Sequence, residues 1–355
     1  MHKGFILATA LVVAFGAVPN NHGSAMTRQQ AYTYAQQRHA QQEKEAQIAK
    51  RYEQAIQAYQ SGNYSVCINY LSNNYVAAAF QRKTDYNIAI GDSYYKLGKY
   101  NQATPYLKRA YNMGARNALV NLDLGMSFYK MDLAQEAIPY LQATTQSNLA
   151  TGDSLWALAD AYSKVGNQDN VQPVLELIAS RFPGYKKEVY TVLANKYFEK
   201  NDVDAGVKIA LRGLQYFSND GDLLYWVGHG YFAAEKYDQA IQYLEQSNQV
   251  IPNNIDTLYD LGSSYLALDR LDDASACVDR MMAVNKDHPK TQDLYKAVSQ
   301  KIAQKQMEQQ MQMNMMNQAM QAAQDAANQG LQQGADAAMD NAAMENPAMQ
   351  PPAGM

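Results

Sequence analysis

The chain of 355 residues is poor in the residues that carry chemistry. It has two cysteines and five histidines, and the histidines (His2, His22, His39, His229, His288) are scattered, two of them in or beside the N-terminal apolar segment. No His/Cys/carboxylate cluster has metal-ligand spacing. No nucleophile elbow, phosphate loop or glycine-rich dinucleotide fingerprint occurs. Carboxylates adjoin only at Asp272-Asp273. Charge of one sign is missing too: the net charge is -4, and no Lys/Arg run or basic stripe marks a nucleic-acid partner. Neither catalysis nor a cofactor is expected.

What the chain does have is a block that keeps returning. Ile90-Gly91-Asp92-Ser93-Tyr94 comes back as Leu124-Gly125-Met126-Ser127-Phe128 and as Leu261-Gly262-Ser263-Ser264-Tyr265. Looser copies stand at Leu158-Ala159, Leu193-Ala194 and Val227-Gly228, each with a tyrosine three residues on. From Gly91 through Gly125, Ala159, Ala194 and Gly228 to Gly262 the steps are 34, 34, 35, 34 and 34 residues. Such a period signals stacked structural repeats. Turn signals inside each unit, such as Leu97-Gly98-Lys99 and Val165-Gly166-Asn167, divide it into two helices. Small residues in the first helix let two backbones approach, and the aromatic fills the space beyond.

These positions resemble the tetratricopeptide repeat, a helix-turn-helix of 34 residues. The unit from Thr84 supplies Ile90, Gly91, Tyr94, Ala103, Leu107 and Ala110; the unit from Gly221 supplies Leu224, Gly228, Tyr231, Ala240, Leu244 and Pro252. The fifth unit departs from the pattern, with Gly206 and Gly213 where alanines are expected. The resemblance implies an all-α, right-handed superhelical solenoid of about seven repeats. Cys67 and Cys277 then fall in the first and last repeats, six steps of roughly 10 Å apart, too far for an intrachain disulfide. Small core residues are the expected role, with an intermolecular bridge as the alternative.

The expected organisation begins with an export signal over 1–25. Its apolar stretch Gly4 to Val18 is short for a membrane span, and cleavage is expected after Ala25 or, second, after Gly16. An uncleaved anchor is the other reading. A polar helix follows over 26–47, with Thr27 as N-cap, either fronting the stack or standing out from it. An irregular repeat spans 48–83, with Cys67, Leu71 and Asn74 on one second helix. Regular repeats fill 84–289, a capping helix 290–327, and a low-complexity disordered tail 328–355. The expected localisation is periplasmic or secreted.

In the family, first-helix positions 2, 5, 9, 12 and 13 line a concave groove that takes peptide segments. Carried over, the protein-binding groove comprises Asp92, Tyr95, Lys96, Met126, Tyr129, Trp156, Asp160, Asn195, Tyr225, His229, Phe232 and Tyr259. Aromatics with interleaved polar groups are what protein-binding hot spots favour. Against this, Asp92/Lys96 and Asp160/Lys164 are spaced to pair within their own helices, His229 can be an ordinary packed residue, and the terminal helix can cover the aromatics. The lysine-asparagine clamp for a C-terminal carboxylate is absent, since only Asn195 matches it. The expected function is a non-catalytic interaction scaffold or assembly factor of the bacterial envelope, its partner another envelope or secreted protein. One segment suggests an alternative: Met311, Met313, Met315 and Met316 are soft thioethers, able to bind Cu(I). The same cluster also reads as a sticky helix stripe for self-association or capping, or as an inert tail.

Overall fold

The structure, a computed structural model, describes residues 27–345; the segment 1–25, expected to direct export, and the last ten residues lie outside that range. It divides between Ala150 and Thr151 into two compact units. Among the described residues every regular element is helical.

Unit 1 begins with the long helix α1 (Arg28–Gln60). Thr27 caps it as expected: its hydroxyl accepts from the Gln30 N–H, and the Gln30 side chain accepts from the Thr27 N–H in return. The front half is exposed and polar, while Ala55 and Ala58 are buried against Cys67, Leu71, Val76, Tyr86 and Ile90. α2 (Tyr64–Leu71) stops earlier than the sequence suggests. Asn73 accepts a hydrogen bond from the Tyr75 N–H at 3.1 Å and so starts a separate helix, α3 (Asn74–Phe80). Two hairpins complete the unit, α4 (Thr84–Lys96) with α5 (Tyr100–Asn112), and α6 (Ala118–Lys130) with α7 (Ala134–Gln142).

Unit 2 contains α8 (Gly152–Lys164) with α9 (Val171–Arg181), α10 (Lys187–Glu199) with α11 (Val203–Leu214), α12 (Gly221–Ala233) with α13 (Tyr237–Val250), and α14 (Ile255–Ala267) with α15 (Leu271–Asn285). The first helices of the six regular hairpins all have 13 residues. They begin at 84, 118, 152, 187, 221 and 255, which reproduces the sequence period.

In the blocks at Gly91, Gly125 and Gly228 the glycine is there because the partner backbone is close. A Cβ on Gly125 would lie 2.7 Å from Leu141 Cγ and 2.9 Å from its backbone nitrogen. Gly91 stands to Leu107 in the same way. The turn within each hairpin has its own rule: Gly98, Asp132, Gly166, Asn201, Glu235 and Asp269 all have φ between 58° and 77°. They occupy one repeat position, the left-handed residue that ends the first helix. Around it the Lys236 N–H bonds to Tyr231 O and the Glu235 N–H to Phe232 O, both at 2.9 Å, closing a Schellman motif.

The last helix, α16 (Pro289–Glu345), covers the final hairpin with Leu294 and Val298, both buried, and with Ile302. Lys305 pairs with Asp269 at 2.5 Å, and beyond it the helix is exposed. It therefore runs well past 327, the expected end of the capping helix. Gly330 and Gly334 each cost a helix about 1 kcal/mol, but the surrounding Gln, Ala and Met are good helix formers, and no proline interrupts before Pro347. Cys67 and Cys277 are both buried free thiols, each inside its own unit's core.

Candidate functional site

In unit 1, α4 carries Asp92, Tyr95 and Lys96, and α6 carries Met126 and Tyr129. Two of the five do not face a groove. Asp92 is 3% exposed and Met126 7%, so the ninth position of the repeat turns inward here. For Asp92 the reason lies in α6, whose sixth residue packs against it. Asp123, the sixth residue of α6, is fully buried beside Asp92. The Tyr59 hydroxyl donates to Asp92 Oδ2 at 2.8 Å, and Lys96 Nζ is 3.8 Å from Asp92 Oδ1. Neither Asp123 oxygen has a donor. Burial above all, then the charge of Asp92, raises the Asp123 carboxyl from the carboxylate range to about 9, so it holds a proton at neutral pH. Tyr59 is also pushed up, by burial first and then by Asp92. The pair is a structural joint between helices. Tyr95, packed at 5.9 Å against Tyr100, and Tyr129, with Lys130 5.9 Å from its ring centroid, are half-buried, and Lys96 is exposed.

Unit 2 repeats the joint with different chemistry. His229 Nδ1 lies 2.7 Å from Asp260 Oδ2, and Asp260 is 3% exposed in its side chain. The sequence interval is 31 residues, the same as from Asp92 to Asp123. His229 sits among aromatics: Phe198 edge-on at 5.2 Å, Trp226 edge-on at 5.7 Å and Tyr225 stacked at 5.6 Å. Trp226 in turn stacks on Phe198 at 5.4 Å.

Next to this cluster a cleft of about 400 Å³ opens between α10, α12 and α14, lined by Thr191, Asn195, Tyr225, Trp226, Ile251 and Asp256 among others. Burial, with Asp260 and Asp256 near, drives the Tyr225 hydroxyl far above its ordinary value, so it stays a neutral phenol. Lysines hold the acids at the lip. Lys187 Nζ is 2.7 Å from Asp220 and 3.2 Å from Asp222, and Lys290 Nζ is 2.6 Å from Asp256. A lip neutralised in this way leaves an aromatic and amide floor as the distinctive surface, suited to an apolar side chain flanked by peptide groups.

Of the residues expected from the sequence, the cleft gathers Asn195 and Tyr225, with His229 behind them. The others stand elsewhere on unit 2. Trp156 lies under Lys186 Nζ at 5.1 Å, Asp160 pairs with Lys164 at 3.4 Å, Phe232 packs on Tyr237 at 6.1 Å and Tyr259 lies under Lys290 Nζ at 5.3 Å. Trp226, Asp123 and Asp260 were missed, all three at the sixth repeat position. The interval of 31 residues between polar partners was the signal available for the two acids.

Met311, Met313, Met315 and Met316 are all exposed on α16. At about 100° per residue, Met311 and Met315 share one side of the helix while Met313 and Met316 share another. One helix therefore does not gather the four thioethers around one ion. Among the described residues no group of three His, Cys, Asp or Glu could hold a metal. No helix of the described residues is long and apolar enough to cross a membrane.

Family models of the tetratricopeptide repeat match residues 84–113 and 231–298. A search of curated proteins finds no match. Similar solved structures include the C-terminal part of a TPR repeat-containing protein from Cytophaga hutchinsonii, 17% identical over 68% of this chain and 98% of that one (TM-score 0.46). PilF of Pseudomonas aeruginosa is 14% identical over 60% of this chain and 96% of its own (TM-score 0.42). The MamA protein is 17% identical over 47% and 91% (TM-score 0.39). A stack of such repeats supports the role of a protein-interaction scaffold. The chain thus carries tetratricopeptide repeats over 84–113 and 231–298, and its helices keep the same period from 84 to 255.

Proposed function

We propose that the protein is a non-catalytic scaffold or assembly factor of the bacterial cell envelope, which grips a segment of another envelope or secreted protein in the cleft of unit 2. The observation that carries this reading is the half-buried Tyr225/Trp226 pair beside Asn195. Aromatic anchors with a nearby amide supply large contact area and direction at little entropic cost. An extended or helical segment with one bulky apolar side chain fits about 400 Å³. Placement in the envelope is supported by the apolar N-terminal stretch Gly4 to Val18.

The test is a peptide-display selection on the purified chain, followed by titration of the selected peptides. Thr191→Arg with Asn195→Arg places two long side chains in the cleft without removing core packing. Binding should fall roughly tenfold or more, since blocking a central anchor costs about 2 kcal/mol. Unchanged affinity in that variant excludes the cleft.

A further inference from the structure

Unit 2 carries a second cleft, of about 520 Å³, where α11 meets the end of α12. Its floor is apolar, made by Val207, Leu211 and Tyr231. The close packing there depends on Gly230, where a Cβ would come within 2.2 Å of Val207 Cγ2. Around this floor stand Lys208, Arg212 and Lys236, against one acid, Asp204. Among the described residues the side-chain ammonium groups of Lys208 and Lys236 have no hydrogen-bond or ion-pair partner. Arg212 gives one N–H to Ala179 O at 2.8 Å, which fixes its guanidinium while leaving other donors of the fork.

The free part of α16 has the opposite character. From Gln306 to Glu345 it contains no lysine or arginine, and its charges are Glu308, Asp325, Asp336, Asp340 and Glu345. Leu331 and Met339 are 73% and 74% exposed, with nothing packed on them. Asp336 and Asp340 are four residues apart with Met339 beside them, and Lys208 and Arg212 are also four apart on α11. Both pairs therefore span one helical turn, about 5–6 Å between side-chain origins.

We propose that the acidic end of α16 docks in the basic cleft of a second copy of the chain. Asp336 and Asp340 face Lys208 and Arg212, and Met339 rests on the floor of Val207, Leu211 and Tyr231. This is helix-in-groove recognition with matched charge. The chain's own cleft is not filled in this way: Met339, about 50 Å along the helix from Lys305, is exposed. The contact joins two different surfaces, so it propagates from copy to copy instead of closing a pair. It does not depend on the cleft lined by Tyr225 and Trp226.

Sedimentation velocity on the full chain over rising concentration, at low and high salt, provides the test. The average mass should grow with concentration and shrink with salt, as expected of exposed ion pairs. Lys208→Glu with Lys236→Glu, and separately Asp336→Asn with Asp340→Asn, should each weaken association roughly tenfold. The second variant changes only exposed helix, so it remains readable even if the first disturbs folding. Mixing a Lys208→Glu/Arg212→Glu chain with an Asp336→Lys/Asp340→Lys chain should restore pairing. A chain that stays monomeric throughout, or an Asp336→Asn/Asp340→Asn variant that associates like the wild type, overturns the proposal. Thr191→Arg with Asn195→Arg should leave association unchanged, which separates this contact from the peptide cleft.

Discussion

Replacing Asp123 by asparagine should stabilise the protein at neutral pH and flatten its pH dependence. Asp123 is fully buried, its two carboxyl oxygens lack donors, and Asp92 stands beside it. Its folded pKa, raised to about 9, compares with about 3.9 in an unfolded chain. The folded state thus holds a proton that the unfolded state has released, over the window from about pH 4 to about 9. Stability from this group is complete below the unfolded value and declines as pH rises through the window. The limiting slope is about 1.4 kcal/mol per pH unit. Between pH 5 and pH 7 that amounts to roughly 2–3 kcal/mol, an upper figure because water entering the joint would soften it. Asparagine has nearly the same shape and donates an N–H to Asp92 without needing the proton. Urea unfolding followed by circular dichroism, on both chains at several pH values, measures the difference. The gain in Asp123→Asn should grow steadily from acid to mildly alkaline pH. Parallel stability curves for the two chains would refute the assignment of a buried proton to this joint.

Other outcomes follow from the same structure. Glu235→Gly relieves a side chain from a left-handed turn at φ 58° and should raise the melting temperature, the gain being about 0.5–1 kcal/mol after the entropy cost of glycine; an unchanged or lower value counts against strain at that position. Gly91→Leu should lose about 1–3 kcal/mol in thermal melts through overpacking against Leu107. Mass spectrometry of protein recovered from an envelope fraction should find an N-terminus at Met26, and retention of the full apolar segment would instead favour an anchor.

The period was legible because it is written in residues with no substitute. Only a glycine fits without a shift where Gly91 and Gly125 meet their leucine partners, so those positions betray the stacking. The hairpin turn was half legible. Gly98 and Gly166 announce it, but Asp132, Asn201, Glu235 and Asp269 adopt the same conformation without a glycine signal. The groove was less legible. Asp92 reads as a solvated charge paired with Lys96, and what buries it is a neighbouring helix that local sequence does not show. Trp226 reads as core by its position, although the cleft reaches it. The end of α16 was misplaced because two glycines and low complexity weighed more than the helix propensity of the residues around them.

The uniform 13-residue helix has a mechanical consequence. A helix of that length is marginal when isolated in water, so each hairpin keeps its shape only while a neighbour leans on it. Pulled from its ends, such a chain should lengthen in quanta. Each surrendered hairpin releases 34 residues, about 110–120 Å of extended polypeptide, and the force trace should show a sawtooth with that spacing. The repeat is then a unit of length as well as of sequence, a fixed quantum of slack that the chain releases hairpin by hairpin.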